Sequence, residues 1–110
     1  MGNATEIGRL RALDLDTMSG AVPDGSCSLV VHNPLAAPIF LLFAGGVPSA
    51  SNNDVSVPGV ALMAYPLPPG VEVITAVIDY AGGVPAGDAG QHATVLVTGS
   101  NQGTSVGPLA

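Results

Sequence analysis

Few residues in this chain are equipped for chemistry: one cysteine, Cys27, two histidines, His32 and His92, and eight carboxylates, Glu6, Asp14, Asp16, Asp24, Asp54, Glu72, Asp79 and Asp88. Hydrolysis by an activated serine needs a nucleophile, a base and an orienting acid held together. A Gly-x-Ser-x-Gly elbow, which presents such a serine between a strand and a helix, is not expected here. His32 closes one candidate strand before Asn33-Pro34 and His92 opens another, so both read as polar residues at sheet margins. Cys27 falls in an alternating apolar segment, where a small buried thiol is the ordinary outcome, and pairing it with His92 would depend wholly on the fold. Nothing in the linear spacing singles out two carboxylates for glycoside hydrolysis. The expectation is a protein that is not an enzyme.

Metal and ligand chemistry fare little better. Two histidines and a single cysteine fall short of a four-ligand structural zinc site. Asp14-x-Asp16 and Asn52-Asn53-Asp54 offer hard oxygens, but neither shows the glycine-centred loop of about twelve residues that makes a calcium site specific. They read instead as the solvent face of an edge strand and as turn residues. No metal and no cofactor are expected. Without tryptophan, the aromatic supply is Phe40, Phe43, Tyr65 and Tyr80, and most of it is assigned to the core rather than to a sugar-stacking platform.

The cations decide more by their absence. Arg9 and Arg11 are the only ones, and positions 12 to 110 carry neither lysine nor arginine. Gripping phosphate, nucleic acid or an anionic membrane takes clusters of such groups, so none of these partners is expected. Charged residues make up 9% of the chain against 47% hydrophobic, where soluble domains average about 25% charged. So neutral an exterior suggests that other protein covers part of it, which reads as a structural subunit and a homo-oligomer. The net charge of −6 is spread along the sequence and serves solubility.

Arg9, Arg11, Leu13 and Leu15 would share one face at the period-two spacing of a strand, with Asp14 and Asp16 opposite. Such a face suits an arm laid along a neighbouring subunit, and these four are the candidate partner interface. The alternative is an ordinary first strand whose arginines pair locally with Asp14 or Asp16.

The elements that would position these residues are strands. Fifteen glycines and ten prolines punctuate short apolar runs, and no long stretch keeps a 3.6-residue period. Candidate strands cover 7–17, 26–33, 39–43, 54–57, 60–65, 71–80 and 94–98. Leu10 is out of phase in the first, which implies a bulge or a late start; Cys27, Leu29 and Val31 share a face in the second; the one over 71–80 should be the longest. A single antiparallel β-sandwich of six to eight strands follows, jelly-roll-like or immunoglobulin-like. Residues 1–17 form an N-terminal arm or first strand, 18–98 the sandwich, and 99–110 a flexible C-terminal tail.

An internal echo joins Phe43-Ala44-Gly45-Gly46-Val47-Pro48-Ser49 to Tyr80-Ala81-Gly82-Gly83-Val84-Pro85-Ala86. Twin loops at one end of a sandwich, touching a common partner, are the functional reading; similar turns after similar strands are the plain one. The lone cysteine excludes an internal disulfide, and residues 1–6 lack the basic and apolar regions of an export signal. No segment reaches the roughly 18 uninterrupted apolar residues of a membrane helix. An intracellular assembly site is the expectation.

The run Leu29-Val30-Val31-His32-Asn33-Pro34, then Pro38-Ile39-Phe40-Leu41-Leu42-Phe43, Asn53-Asp54-Val55-Ser56-Val57-Pro58-Gly59 and Pro68-Pro69-Gly70, resembles small virion β-sandwich proteins of tailed bacteriophages, the capsid decoration or cement proteins in particular. The resemblance spans roughly residues 26–98 and rests on strand rhythm and on Asn-Pro and Pro-Gly placement. It implies a protein without an active site that binds the outer capsid surface, often as trimers. There it contacts the major capsid protein and stabilises adjacent capsomers. The alternative is a tail, fibre or adhesin-type module recognising host glycan or protein through the loops around Asn52 and Asp88.

Overall fold

The computed structural model describes residues 4–99, an all-β chain of eight strands. They are β1 (Ala4–Arg11), β2 (Thr17–Ala21), β3 (Ser26–Asn33), β4 (Ile39–Leu42), β5 (Val55–Val57), β6 (Ala61–Pro66), β7 (Val73–Ile78) and β8 (His92–Gly99), with one 3-10 turn at Ala86–Asp88. Two antiparallel four-stranded sheets, in the orders β1-β8-β3-β6 and β2-β7-β4-β5, pack face to face. The first strand pairs with the last, the second with the seventh, the third with the sixth and the fourth with the fifth. One antiparallel ribbon is thus wrapped on itself, and every connection except β4 to β5 crosses between sheets. That is a jelly roll, and it differs from the immunoglobulin grouping of strands. Among the described residues no helix is long and apolar enough to cross a membrane.

The core follows from period-two alternation. Leu29 and Val31 of β3, Ile39 and Leu41 of β4, Val55 and Val57 of β5, Ile74, Ala76 and Ile78 of β7, and Ala93, Val95 and Val97 of β8 all point between the sheets. Asn33 is the fully buried polar residue among them. Its Nδ2 donates to the carbonyls of Ala37 at 2.8 Å and Pro58 at 3.0 Å, and its Oδ1 accepts from the Leu35 amide at 3.1 Å. One side chain thereby satisfies three main-chain groups of two corner loops that no ladder reaches.

Register sorts the connections into two ends. Thr17 lies opposite Val77, Ile78 opposite Ile39, and Ile39 opposite Val57; in the other sheet Arg11 lies opposite His92 and Asn33 opposite Ala61. Loops 12–16, 34–38, 58–60 and 79–91 therefore share one end, the rim below, while loops 22–25, 43–54 and 67–72 share the other. At the open side between β1 and β2 the backbones come close. A Cβ on Gly20 would strike the Ile7 carbonyl oxygen, and one on Gly8 would lie 2.6 Å from the Met18 methyl.

The outer face of the second sheet is covered by the chain itself. Phe40, Val77 and Thr75 project away from the core yet are buried. The β4–β5 loop is held against this face at Thr75, whose hydroxyl donates to the Ala44 carbonyl at 3.0 Å, and Pro48 of the loop is buried.

Several expectations are corrected here. The strand expected over 7–17 ends at Arg11, the chain turns through 12–16, and β2 begins in the other sheet at Thr17. The phase change at Leu10 has its cause in a bulge between Glu6 and Gly8, and Leu10 is itself a fully buried core residue. A second bulge between Ser26 and Ser28 displaces Cys27, which is exposed rather than buried with Leu29 and Val31. The strand expected over 71–80 spans only Val73–Ile78, while β1, β3 and β8 each reach eight residues. Tyr80 belongs to the core, Phe43 and Tyr65 pack at its margin, and Phe40 lies outside it. Gly99 closes β8, and the rest of the expected tail lies outside the described residues.

Candidate interaction surface

The candidates for catalysis do not meet. His32 projects from the outer face of β3 between Thr94 and Leu62, and His92 stands at the start of β8 opposite Arg11, both exposed and both at the rim. Cys27 lies at the other end of β3, with the Ser28 hydroxyl 4.0 Å from its sulfur. The letters Gly103-Thr104-Ser105-Val106-Gly107 do match the serine elbow, against expectation. They lie outside the described residues, and no α-helix, which an elbow needs after its serine, occurs among the described ones.

The aspartates are spent on the fold. Asp14 accepts the Tyr80 amide at 2.8 Å and the Gly82 amide at 2.9 Å. Asp79 accepts the Ala81 amide at 2.8 Å, and at the opposite end Asp54 accepts that of Phe43 at 2.8 Å. Asp88, buried, accepts the Ala36 amide at 2.8 Å and the Tyr80 hydroxyl at 2.7 Å. Burial, the hydrogen bond to Asp88 and that carboxylate's charge together push the Tyr80 phenol well above its ordinary range. The physical reason is common to all four. Where the chain leaves a strand its amides lose their ladder partners, and a short carboxylate of the same loop or of a neighbouring one reaches them. Among the described residues no group of three or more His, Cys, Asp or Glu is arranged to hold a metal ion.

The proposed face of Arg9, Arg11, Leu13 and Leu15 does not form, because β1 ends before Leu13. Arg9 pairs with Glu6 at 2.6 Å on the sheet exterior. Arg11 pairs with Asp16 at 2.9 Å, and the Asp16 carboxylate also accepts the Arg11 amide at 2.7 Å, so Asp16 is neither opposite the arginine nor solvated. Leu13 and Leu15 sit in the turn, 50% and 59% exposed. The echo is corrected too. Because β4 and β7 are antiparallel neighbours, the two Gly-Gly-Val-Pro loops leave the sheet at opposite ends. Their shapes also differ, with positive φ at Gly46 in one copy and at Ala81 and Gly82 in the other. The loops around Asn52 and Asp88 are likewise at opposite ends and cannot form one binding site.

What the rim does gather is apolar surface. Among the described residues, Leu13, Leu15, Val60, Leu62 and Val84 account for five of the seven large exposed hydrophobic ones, the others being Val47 and Met63. The three non-glycine residues with positive φ among the described ones lie at the same end: Leu15 at 58°, Val60 at 53° and Ala81 at 55°. A β-branched valine in this region is a genuine outlier. Leu15 is held there by its amide bond to the Ile78 carbonyl at 2.8 Å, and Val60 by its bond to the Leu35 carbonyl at 2.9 Å. The main chain is thus pinned while the side chain faces outward. Three open clefts of about 270 to 330 Å³ lie between these residues, one beside Leu13 with Arg11 and His92, one beside Val60 and Leu62 with His32, and one between Pro38 and Tyr80.

The sequence reading missed Val60, Leu62 and Val84. For Val60 and Val84 the signal was an apolar residue directly after Pro-Gly or Gly-Gly, where turns normally carry polar side chains; Leu62 lies within a strand and carries no such mark. Compared with known proteins, the chain matches no family model, no curated protein and no solved structure.

Proposed function

We propose that the chain is a structural virion component that binds the outer surface of a phage capsid as a homo-oligomer. There it stabilises adjacent capsomers through the apolar rim, with the major capsid protein as partner. The observation that carries this reading is the pair Leu15 and Val60, large apolar side chains exposed on backbone that disfavours them. Such conformations cost on the order of 1–3 kcal/mol each and cluster where function requires them. The surrounding chemistry points the same way, since the rim aspartates cap amides rather than face a cleft. By analogy of fold alone, jelly rolls serve in viral capsids, and also in lectins.

Asparagine tolerates positive φ far better than leucine or valine, so the test separates folding from binding. Leu15→Asn together with Val60→Asn should leave unfolding stability equal or raised, while co-sedimentation with capsids assembled from the major capsid protein weakens at least about tenfold. Undiminished co-sedimentation of the variant, or none by the unaltered chain, discards the reading. Binding of a host glycan by the isolated chain would favour the adhesin-type module instead.

A further inference from the structure

The jelly roll leaves four edge strands, and three of them are guarded. β1 is the one strand with charged side chains, Glu6, Arg9 and Arg11, and its other side packs on β2. β5 is only three residues long. β6 is six residues long, Ala-Leu-Met-Ala-Tyr-Pro, mostly exposed, and pairs with β3 alone. It has none of the devices that usually blunt an edge, neither an edge charge nor an interior proline.

Its free groups can be named from the register. The Leu67 amide donates to the Cys27 carbonyl at 2.9 Å, one step beyond the Ser28–Pro66 pair of the β3–β6 ladder. Bonded and non-bonded pairs alternate in an antiparallel ladder. Ala61, Met63 and Tyr65 therefore exchange bonds with β3, and the N–H and C=O of Leu62 and Ala64 face away from it. Beyond them the run closes on both sides, because the Val60 amide is taken by Leu35 and Pro66 has no N–H.

We infer that β6 is a homotypic seam at which two copies of this chain pair antiparallel about a two-fold axis through Met63. The short edge is self-complementary. Leu62 of one copy faces Ala64 of the other and the reverse, which exchanges four main-chain hydrogen bonds and joins the two first sheets into one of eight strands. A second copy is the fitting occupant on electrostatic grounds as well. The molecule carries a net charge of −6, and like-charged bodies associate where charge is absent. Strands β3, β4, β5 and β6 contain no charged side chain. Leu62 and Ala64, beside Val30 on the outer sheet face, supply the apolar contact that flanks the hydrogen bonds. The seam stands on the geometry of β6 and holds whatever surface the rim contacts.

The test uses the full chain and two variants. Ala64→Pro removes only a donor that faces outward, at an edge position where proline is tolerated; Leu62→Lys adds an edge charge and keeps every donor. Sedimentation equilibrium across micromolar to millimolar concentrations should show a dimer for the unaltered chain, with slow hydrogen exchange at the Leu62 and Ala64 amides. Both variants should dimerise at least about tenfold more weakly yet unfold at an unchanged midpoint at dilutions where every chain is monomeric; the position-62 amide should exchange fast in both, and the Ala64 amide in Leu62→Lys. A monomer throughout, a trimer or higher species, or a dimer whose mass survives both substitutions would overturn the seam. Leu62 also belongs to the rim, so capsid co-sedimentation is read on Ala64→Pro, which leaves every rim side chain in place, and either reading can fail alone.

Discussion

Single side chains hold the corners of this protein. Asn33 satisfies three main-chain groups inside the core, and Asp14, Asp54, Asp79 and Asp88 each cap amides that the ladders leave open. Asp16 is the member of this set with a titration to follow. Burial draws its carboxyl upward, but the Arg11 side chain, the amides of Arg11 and Thr17 and the Arg11 charge outweigh that and hold it below its ordinary value. With the folded value lowered, its stabilisation is complete above the unfolded value of about 3.9 and is lost as pH falls through the folded one. Acidification below about pH 4 should therefore loosen the 12–16 corner, seen as a shift of the Arg11 amide resonance. Asp16→Asn should abolish that pH dependence and leave the corner loose at neutral pH, and a shift that persists in the variant would assign the effect elsewhere.

At the scale of elements, what matters is how the two sheets close on each other. β1 and β2 meet through paired glycines, because the Ile7 carbonyl and the Met18 side chain occupy the space that a Cβ would need. Gly20 has no positive φ to explain it; close backbone approach is its requirement. Gly20→Val should force β1 away from β2 and lower unfolding stability by about 2–4 kcal/mol, as overpacked cores do, measured by denaturant titration. Gly25→Ala, at a position with open space around it but positive φ, should cost less, about 1 kcal/mol. Equal losses for the two would mean that proximity is not what Gly20 serves.

For the whole molecule, apolar surface is divided by the fold itself. One outer face is buried, with the β4–β5 loop held against it at Thr75, the β6 edge is bare, and the rim carries pinned aliphatic side chains. Removing residues 45–48 should unseal the first without touching the core. The expected outcome is an unchanged β-rich circular dichroism spectrum, stronger binding of a hydrophobic dye, and a stability loss of about 1–3 kcal/mol for the apolar area exposed. A variant that no longer folds would show the loop to be part of the folding unit rather than its cover.

The sequence by itself determined the all-β sandwich, the positions of β3 to β6 to within a few residues, and the scarcity of ionic groups, because strand periodicity, branched residues and Gly/Pro punctuation are local properties. It did not reveal β2, whose Thr-Met-Ser-Gly-Ala has little apolar alternation and owes its place to its ladder with β7 and to the close approach of Gly20 to Ile7. Nor did it show that the 12–16 segment turns, since Leu15 adopts a positive φ that its residue type disfavours and that the Ile78 carbonyl imposes from across the fold. Only the tertiary structure decided which ends the loops occupy and which aspartates are spent on amides. It alone also decided that Leu13, Leu15, Val60, Leu62 and Val84 gather at one rim, because each of these depends on strand pairings between residues far apart in the chain.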